Sequence, residues 1–171
     1  MRLFHVSEES NIDKFVPRVP TREDMDKSKG LVWALCERCL PNFLTPRDCP
    51  RVAYYANEKT TQVDIFKFFS SSLRYCVAIE SDWHERMVKT PLYLYEFDAS
   101  NFKLQNEAAG YYISEQTETP ISVIRLNNLF GELFERDVEV RILDNLWTLG
   151  DAVQQSTLNW SLCRMAYAKQ K

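Results

Sequence analysis

Apolar and polar residues alternate most regularly between positions 92 and 98. Tyr93, Tyr95 and Phe97 fall on one side of an extended chain there, with Leu94 and Glu96 on the other. The same two-residue period returns at Val138, Val140 and Ile142, separated by Glu139 and Arg141, which predicts a half-exposed strand. Shorter apolar runs predict strands over residues 3–7, 31–35, 52–56 and 75–80, the first two of them interior. Two more strand-like runs, 111–116 and 121–126, are divided by Thr119 and Pro120.

Helical spacing is confined to a few places. Thr61 with Asp64 three residues on resembles a capping box, and it leads into Ile65, Phe66, Phe68 and Phe69. Residues 37–44 predict a short helix stopped by Pro46, and Ser81 caps another through Val88. Asn127 is expected to cap a third, carrying Leu129, Phe130, Leu133 and Phe134. Thr148 and Asp151 have the spacing of a helix start, and Leu149, Val153, Trp160 and Tyr167 follow at helical intervals, which predicts a long C-terminal helix. Many short strands broken by short helices, without a regular βαβ beat, indicate an α+β fold of mixed, mostly antiparallel sheets. The charged stretch 21–29, ending at Gly30, reads as a long surface loop. With no repeat, low-complexity tract or linker, 1–171 is expected to form a single globular domain.

Composition narrows the class. A chain of 171 residues buries roughly 70% of its unfolded surface. The 13% aromatic share calls for an aromatic core or an aromatic-lined cleft. A net charge of -3 argues against general nucleic-acid binding, while leaving room for a local basic pocket. No apolar run has the length of a membrane span, and the first residues lack a secretory leader. An odd count of five cysteines then suggests reduced thiols and a cytoplasmic location. Four unclustered glycines offer no phosphate-binding loop.

Several residues could carry chemistry. His5 shares a strand face with Leu3 and Ser7, where an imidazole can meet a sugar hydroxyl or be satisfied by a neighbouring carbonyl. Arg18, Arg47 and Arg51 lie in proline-stiffened segments. Their guanidinium groups suit a diphosphate or terminal phosphate, or else pair with Asp48 and other acids to pin the loop. Cys36 and Cys39 form a C-x-x-C pair with Cys49 beyond, but Cys76 and His84 are distant, and no metal is expected. His84 has acidic neighbours and reads as a surface residue. The face of Tyr93, Tyr95 and Phe97, joined by Tyr111 and Tyr112, either stacks a base or forms sheet core.

Leu3-Phe4-His5-Val6-Ser7 resembles the first-strand motif of ADP-ribosyltransferase-like domains, in which an aromatic precedes a histidine followed by a small residue and Ser or Thr. The resemblance implies NAD as ligand, with His5 on a ribose hydroxyl and groups near Ser7 holding the nicotinamide amide. Val32-Trp33-Ala34 is similar in position to the family's second strand, so Trp33 would stack on the nicotinamide; as the neighbour of Leu31 and Leu35 it also fits a core role. Gln116-Thr117-Glu118 is similar to the acidic turn of arginine-directed members. Glu118 would then be the catalytic carboxylate that stabilises the ribosyl cation, Gln116 would position the acceptor, and Glu115 is its rival. The same turn also reads as solvated carboxylates before Pro120. Val6 stands where the family has glycine, and Trp33 where it has tyrosine.

The full length resembles a small family of uncharacterised bacterial proteins. Its landmarks include Pro46-Arg47-Asp48-Cys49-Pro50-Arg51-Val52 and Asn145-Leu146-Trp147. Three readings stand side by side: an NAD- or ADP-ribose-binding transferase-like enzyme, an enzyme resembling NAD-dependent RNA 2′-phosphotransferases, and a non-catalytic module binding a nucleotide or a protein. A homodimer seam through Trp160 and Tyr167 of the C-terminal helix is a further expectation.

Overall fold

The computed structural model describes residues 1–20 and 26–171. The strands among the described residues, in chain order, are β1 (Leu3–Ser7), β2 (Val32–Cys36), β3 (Arg51–Tyr55), β4 (Tyr75–Glu80), β5 (Leu92–Phe97), β6 (Lys103–Asn106), β7 (Tyr111–Ser114), β8 (Ser122–Leu126), β9 (Val138–Leu143) and β10 (Asn159–Cys163). The α-helices are short: α1 (Gln62–Phe68), α2 (His84–Lys89), α3 (Leu129–Phe134) and α4 (Trp147–Gln154). The fold is α+β, with mostly antiparallel sheets. The chain forms two compact units interleaved in sequence, Met1–Leu40 with Leu92–Leu126, and Pro41–Pro91 with Asn127–Lys171.

The first unit is an antiparallel six-stranded sheet in the order β6-β7-β2-β1-β5-β8. Alternation along β5 sends Tyr95 and Phe97 to the same face as Leu3, Val32 and Ala34, and Phe15 and Phe102 complete this cluster. Tyr93, Tyr95, Phe97 and Tyr112 are therefore sheet core, whereas Tyr111 lies on the other face against Trp33. Phe15 meets Tyr95 and Phe97 edge-on at ring centroid distances of 5.2 and 5.0 Å. The Tyr95 hydroxyl donates to the Glu9 carbonyl at 2.6 Å and accepts from the Ile12 N–H at 3.2 Å. A buried phenol thus fixes the path of the chain as it leaves β1. Strand β6 is polar and at a sheet edge, and its sequence carries no apolar alternation to announce it.

In the second unit the sheet order is β10-β3-β4-β9, antiparallel except for the parallel pair β4 and β9. Its core gathers Val52, Tyr54, Phe68, Phe69, Cys76, Ala78, Leu146, Val153 and Leu158. Thr61 caps α1 as its spacing predicts, accepting from the Asp64 N–H at 3.2 Å. Asp64 in turn accepts from the N–H and hydroxyl of Thr157 at 2.8 and 2.6 Å. Helix α3 is capped by Asn128 rather than Asn127, through a 2.9 Å bond from the Gly131 N–H.

The long C-terminal helix is not formed. α4 ends at Gln154, where Ser156 turns its hydroxyl back onto the Val153 carbonyl at 2.7 Å. Thr157 is tied to Asp64, and the chain then extends as β10, pairing with β3 from Asn159↔Tyr55 to Cys163↔Arg51. Sheet hydrogen bonding outweighs the helical spacing of Trp160 and Tyr167, which lie in a strand and in the 3-10 turn Met165–Tyr167. The helical seam expected of them is therefore absent. Of the charged stretch 21–29, residues 21–25 lie outside those described, and Asp26 closes a turn by accepting from the Ser28 N–H at 2.8 Å. Among the described residues no helix is long and apolar enough to cross a membrane.

Candidate functional site

The core face of the first unit places His5 on β1 opposite Tyr95 of β5. Its Nδ1 lies 3.1 Å from the Trp33 carbonyl oxygen. A carbonyl only accepts, so Nδ1 carries the proton and Nε2 keeps a lone pair. Burial holds the imidazole below its ordinary pKa, with the Arg18 guanidinium adding to that effect against the Trp33 bond and Glu9. The side chain is therefore a neutral ring of fixed tautomer. Phe15 packs on it at a centroid distance of 4.8 Å, tilted by 58°.

Phe15 also brings Glu118 into the same neighbourhood. The two residues form an antiparallel bridge, Phe15 N–H to Glu118 carbonyl at 2.8 Å and Glu118 N–H to Phe15 carbonyl at 3.0 Å. The Glu118 side chain is buried, accepting from the Ser114 hydroxyl at 2.5 Å and from Asn101 Nδ2 at 3.4 Å. Ser114 ends β7 and its hydroxyl also receives the Gln116 N–H at 3.1 Å, which tightens the turn that presents Glu118. Glu115 differs in every respect: it is exposed and paired with Lys29 at 3.0 Å. Gln116 is exposed.

Not all the sequence candidates converge. Trp33 contributes its backbone carbonyl to His5, but alternation along β2 puts its indole on the opposite sheet face, edge-on to Tyr111 at 5.5 Å. Ser7, on the His5 face, accepts from the Glu9 N–H at 3.1 Å and shapes the exit of β1. Arg47 and Arg51 belong to the second unit. Arg47 is exposed, whereas Arg51 is buried beneath Phe43 with its guanidinium on the carbonyls of Asn42 and Cys49, the latter at 2.9 Å. Arg51 pins its loop, as one of the two sequence readings has it, though on carbonyl oxygens rather than on acids. Asp48 faces Arg164 at 3.7 Å. His84 is exposed and lies against Phe130 at 5.5 Å.

Two further residues reach this site, Phe15 without signal in the sequence and Arg18 as one of the three guanidinium groups of the proline-stiffened segments. Phe15 stands isolated between Lys14 and Val16, outside any apolar period. Arg18 is exposed and joined to Leu31 through both backbone hydrogen bonds, at 3.1 and 2.9 Å, which holds it close enough to His5 to act on its charge. Only the return of the chain over β1 brings either residue there.

No curated protein and no solved structure matches the chain. A family model described as Family of unknown function (DUF6886) matches residues 4–168, and the chain belongs to that family.

Proposed function

We propose that the protein binds NAD or ADP-ribose in the manner of ADP-ribosyltransferase-like domains, through the His5 face of the first unit. The observation that carries this reading is the pairing of a neutral His5, whose Nε2 lone pair can accept from a ribose hydroxyl, with a buried Glu118 joined to it through Phe15. In the proposal Phe15 takes the aromatic role first given to Trp33, because Trp33's indole is on the other face. Arg18 meets a diphosphate by the same logic of proximity to His5. Glu118 is preferred to Glu115 as the carboxylate that supports the ribosyl cation when the bond to nicotinamide breaks, since a charge held out of bulk water acts more strongly.

Thermal-shift scans with NAD and ADP-ribose, run beside an assay for free nicotinamide, test the reading. A ligand that binds the folded state raises the melting temperature. A shift with NAD together with nicotinamide release supports a transferase-like enzyme. Val6, in the place of the family glycine, favours a second reading as a non-catalytic nucleotide module, for which a shift without release is the expected result. No shift with either ligand removes both.

A further inference from the structure

The thiols of this chain are not alike. Cys49 and Cys76 are wholly buried, and burial pushes each up to about 12. Cys36 is the partly exposed last residue of β2, while Cys39 is buried in the 3-10 helix Glu37–Phe43. A 3-10 helix completes a turn in three residues, so side chains at this spacing stand one above the other. The entry into the helix therefore puts both sulfurs on one side.

Gly110 makes room for them. It has a φ of 65°, and its carbonyl accepts from the Cys36 N–H at 2.9 Å. A Cβ placed on Gly110 would lie 2.6 Å from the Cys36 sulfur and 2.6 Å from the Cys39 sulfur. The two sulfurs are thus no more than twice that distance apart, filling the space a side chain would need. Cys39 Sγ also faces the Ala108 carbonyl at 3.7 Å. Among the described residues no third His, Cys, Asp or Glu completes a metal-binding group with them.

We propose that Cys36 and Cys39 are a thiol–disulfide exchange site, Cys36 attacking and Cys39 resolving, whose substrate is a low-molecular-weight disulfide of the glutathione type. The proposal is independent of nucleotide binding. The Cys39 thiol and the backbone N–H groups of Arg38 and Cys39 face the Cys36 sulfur, and the Arg38 guanidinium stands near, its Nη2 held on the Glu107 carbonyl at 2.8 Å. Together they outweigh the cost of burial and bring the Cys36 thiol down to about 6.

The chemistry balances in two steps. The Cys36 thiolate attacks one sulfur of the small disulfide, forming a mixed disulfide and expelling one small thiolate, which takes up a proton. Cys39 then loses its proton to solvent and attacks the Cys36 sulfur, expelling the second small thiolate, which is protonated in turn. The protein dithiol loses two electrons, and the small disulfide gains them as two thiols. Closing the bridge brings the sulfurs to about 2.05 Å, a movement that local side-chain rotation and a small shift of the helix entry supply.

The test is incubation of the whole protein with glutathione disulfide, alkylation of remaining thiols, and peptide mass mapping. A peptide joining Cys36 to Cys39 is expected, with Cys49 and Cys76 alkylated only after unfolding. In Cys39→Ser the reaction should halt with glutathione on Cys36, and in Cys36→Ser glutathione should be absent from Cys39. Iodoacetamide labelling of wild-type Cys36 should reach half its maximal rate near pH 6 instead of near 9, the ordinary thiol value. Glutathione on Cys39 with Cys36 free, no joined peptide in the wild type, or a labelling rate still climbing at pH 9 each overturns the proposal. The wild-type readouts hold even if a variant fails to fold.

Discussion

Phe15 and Glu118 exchange both backbone hydrogen bonds, and that one bridge makes neighbours of two residues more than a hundred positions apart. Because the Phe15 ring lies on His5, the bridge also relates the imidazole to the carboxylate. Three segments of the first unit meet at this point: β1, the chain returning over it, and the turn after β7.

If Glu118 supports a ribosyl cation, charge removal should matter there and not at Glu115. Glu118→Gln keeps an oxygen for the Ser114 hydroxyl and should fold normally, while nicotinamide release from NAD falls by about 100-fold or more. Glu115→Gln loses an exposed pairing with Lys29 and should leave release unchanged. Equal effects of the two substitutions would remove the assignment.

His5 sets a pH dependence of stability whose sign follows from its lowered pKa. Above the unfolded value of about 6.5 the ring is neutral in both states and the folded protein bears no penalty. As the pH falls below that value, the unfolded chain takes up a proton that the folded site resists, so stability drops until the lower folded pKa is passed. Melting temperatures measured from about pH 7.5 down to about pH 5.5 should fall less steeply for His5→Gln than for wild type. Taking the difference between the two proteins cancels contributions from other groups, Cys36 included. Parallel curves would contradict the buried neutral imidazole.

Arg51 is a structural pin. Arg51→Met should lower stability by about 2–4 kcal/mol in denaturant titration, because the Asn42 and Cys49 carbonyls lose their donors. Arg51→Lys should recover little of this, since a single ammonium cannot reproduce the fork that reaches two carbonyls. Full stability in either variant would show that the loop holds without the guanidinium.

Gly110→Ala meets two obstacles at once, a left-handed backbone and two sulfurs in the space of the new methyl. A loss of about 2–4 kcal/mol is expected, read from thermal or denaturant unfolding. A neutral substitution would mean that the thiols move aside freely.

The sequence was most legible where local chemistry and tertiary packing agree. Alternation in 92–98 and 138–142 matches β5 and β9, and the Thr61–Asp64 spacing gives a real cap. It misled where tertiary pairing overrode periodicity, as at Trp160, whose helical register with Val153 gives way to hydrogen bonding with β3. Strand β6 is polar because it is an edge, so it leaves no apolar trace. Of the candidate site, His5 and Glu118 could be nominated from residue type and neighbours. Arg18 could be nominated for an anion but not placed beside His5, and Phe15 not nominated at all, because their place over β1 is made by pairings with Leu31 and Glu118 that are remote in sequence. The indole of Trp33 follows the β2 face opposite Val32 and Ala34, so its position along the strand does not bring it to His5.

The antiparallel pair of β3 and β4 acquires both of its flanking strands from residues beyond 137, β9 on one side and β10 on the other. During synthesis it therefore waits, with open hydrogen-bonding edges, while roughly sixty residues emerge before the first flank can close. Ribosome-bound intermediates of this length are the stage at which the second unit is most exposed to misassembly, and the stage at which a chaperone would have the most to protect.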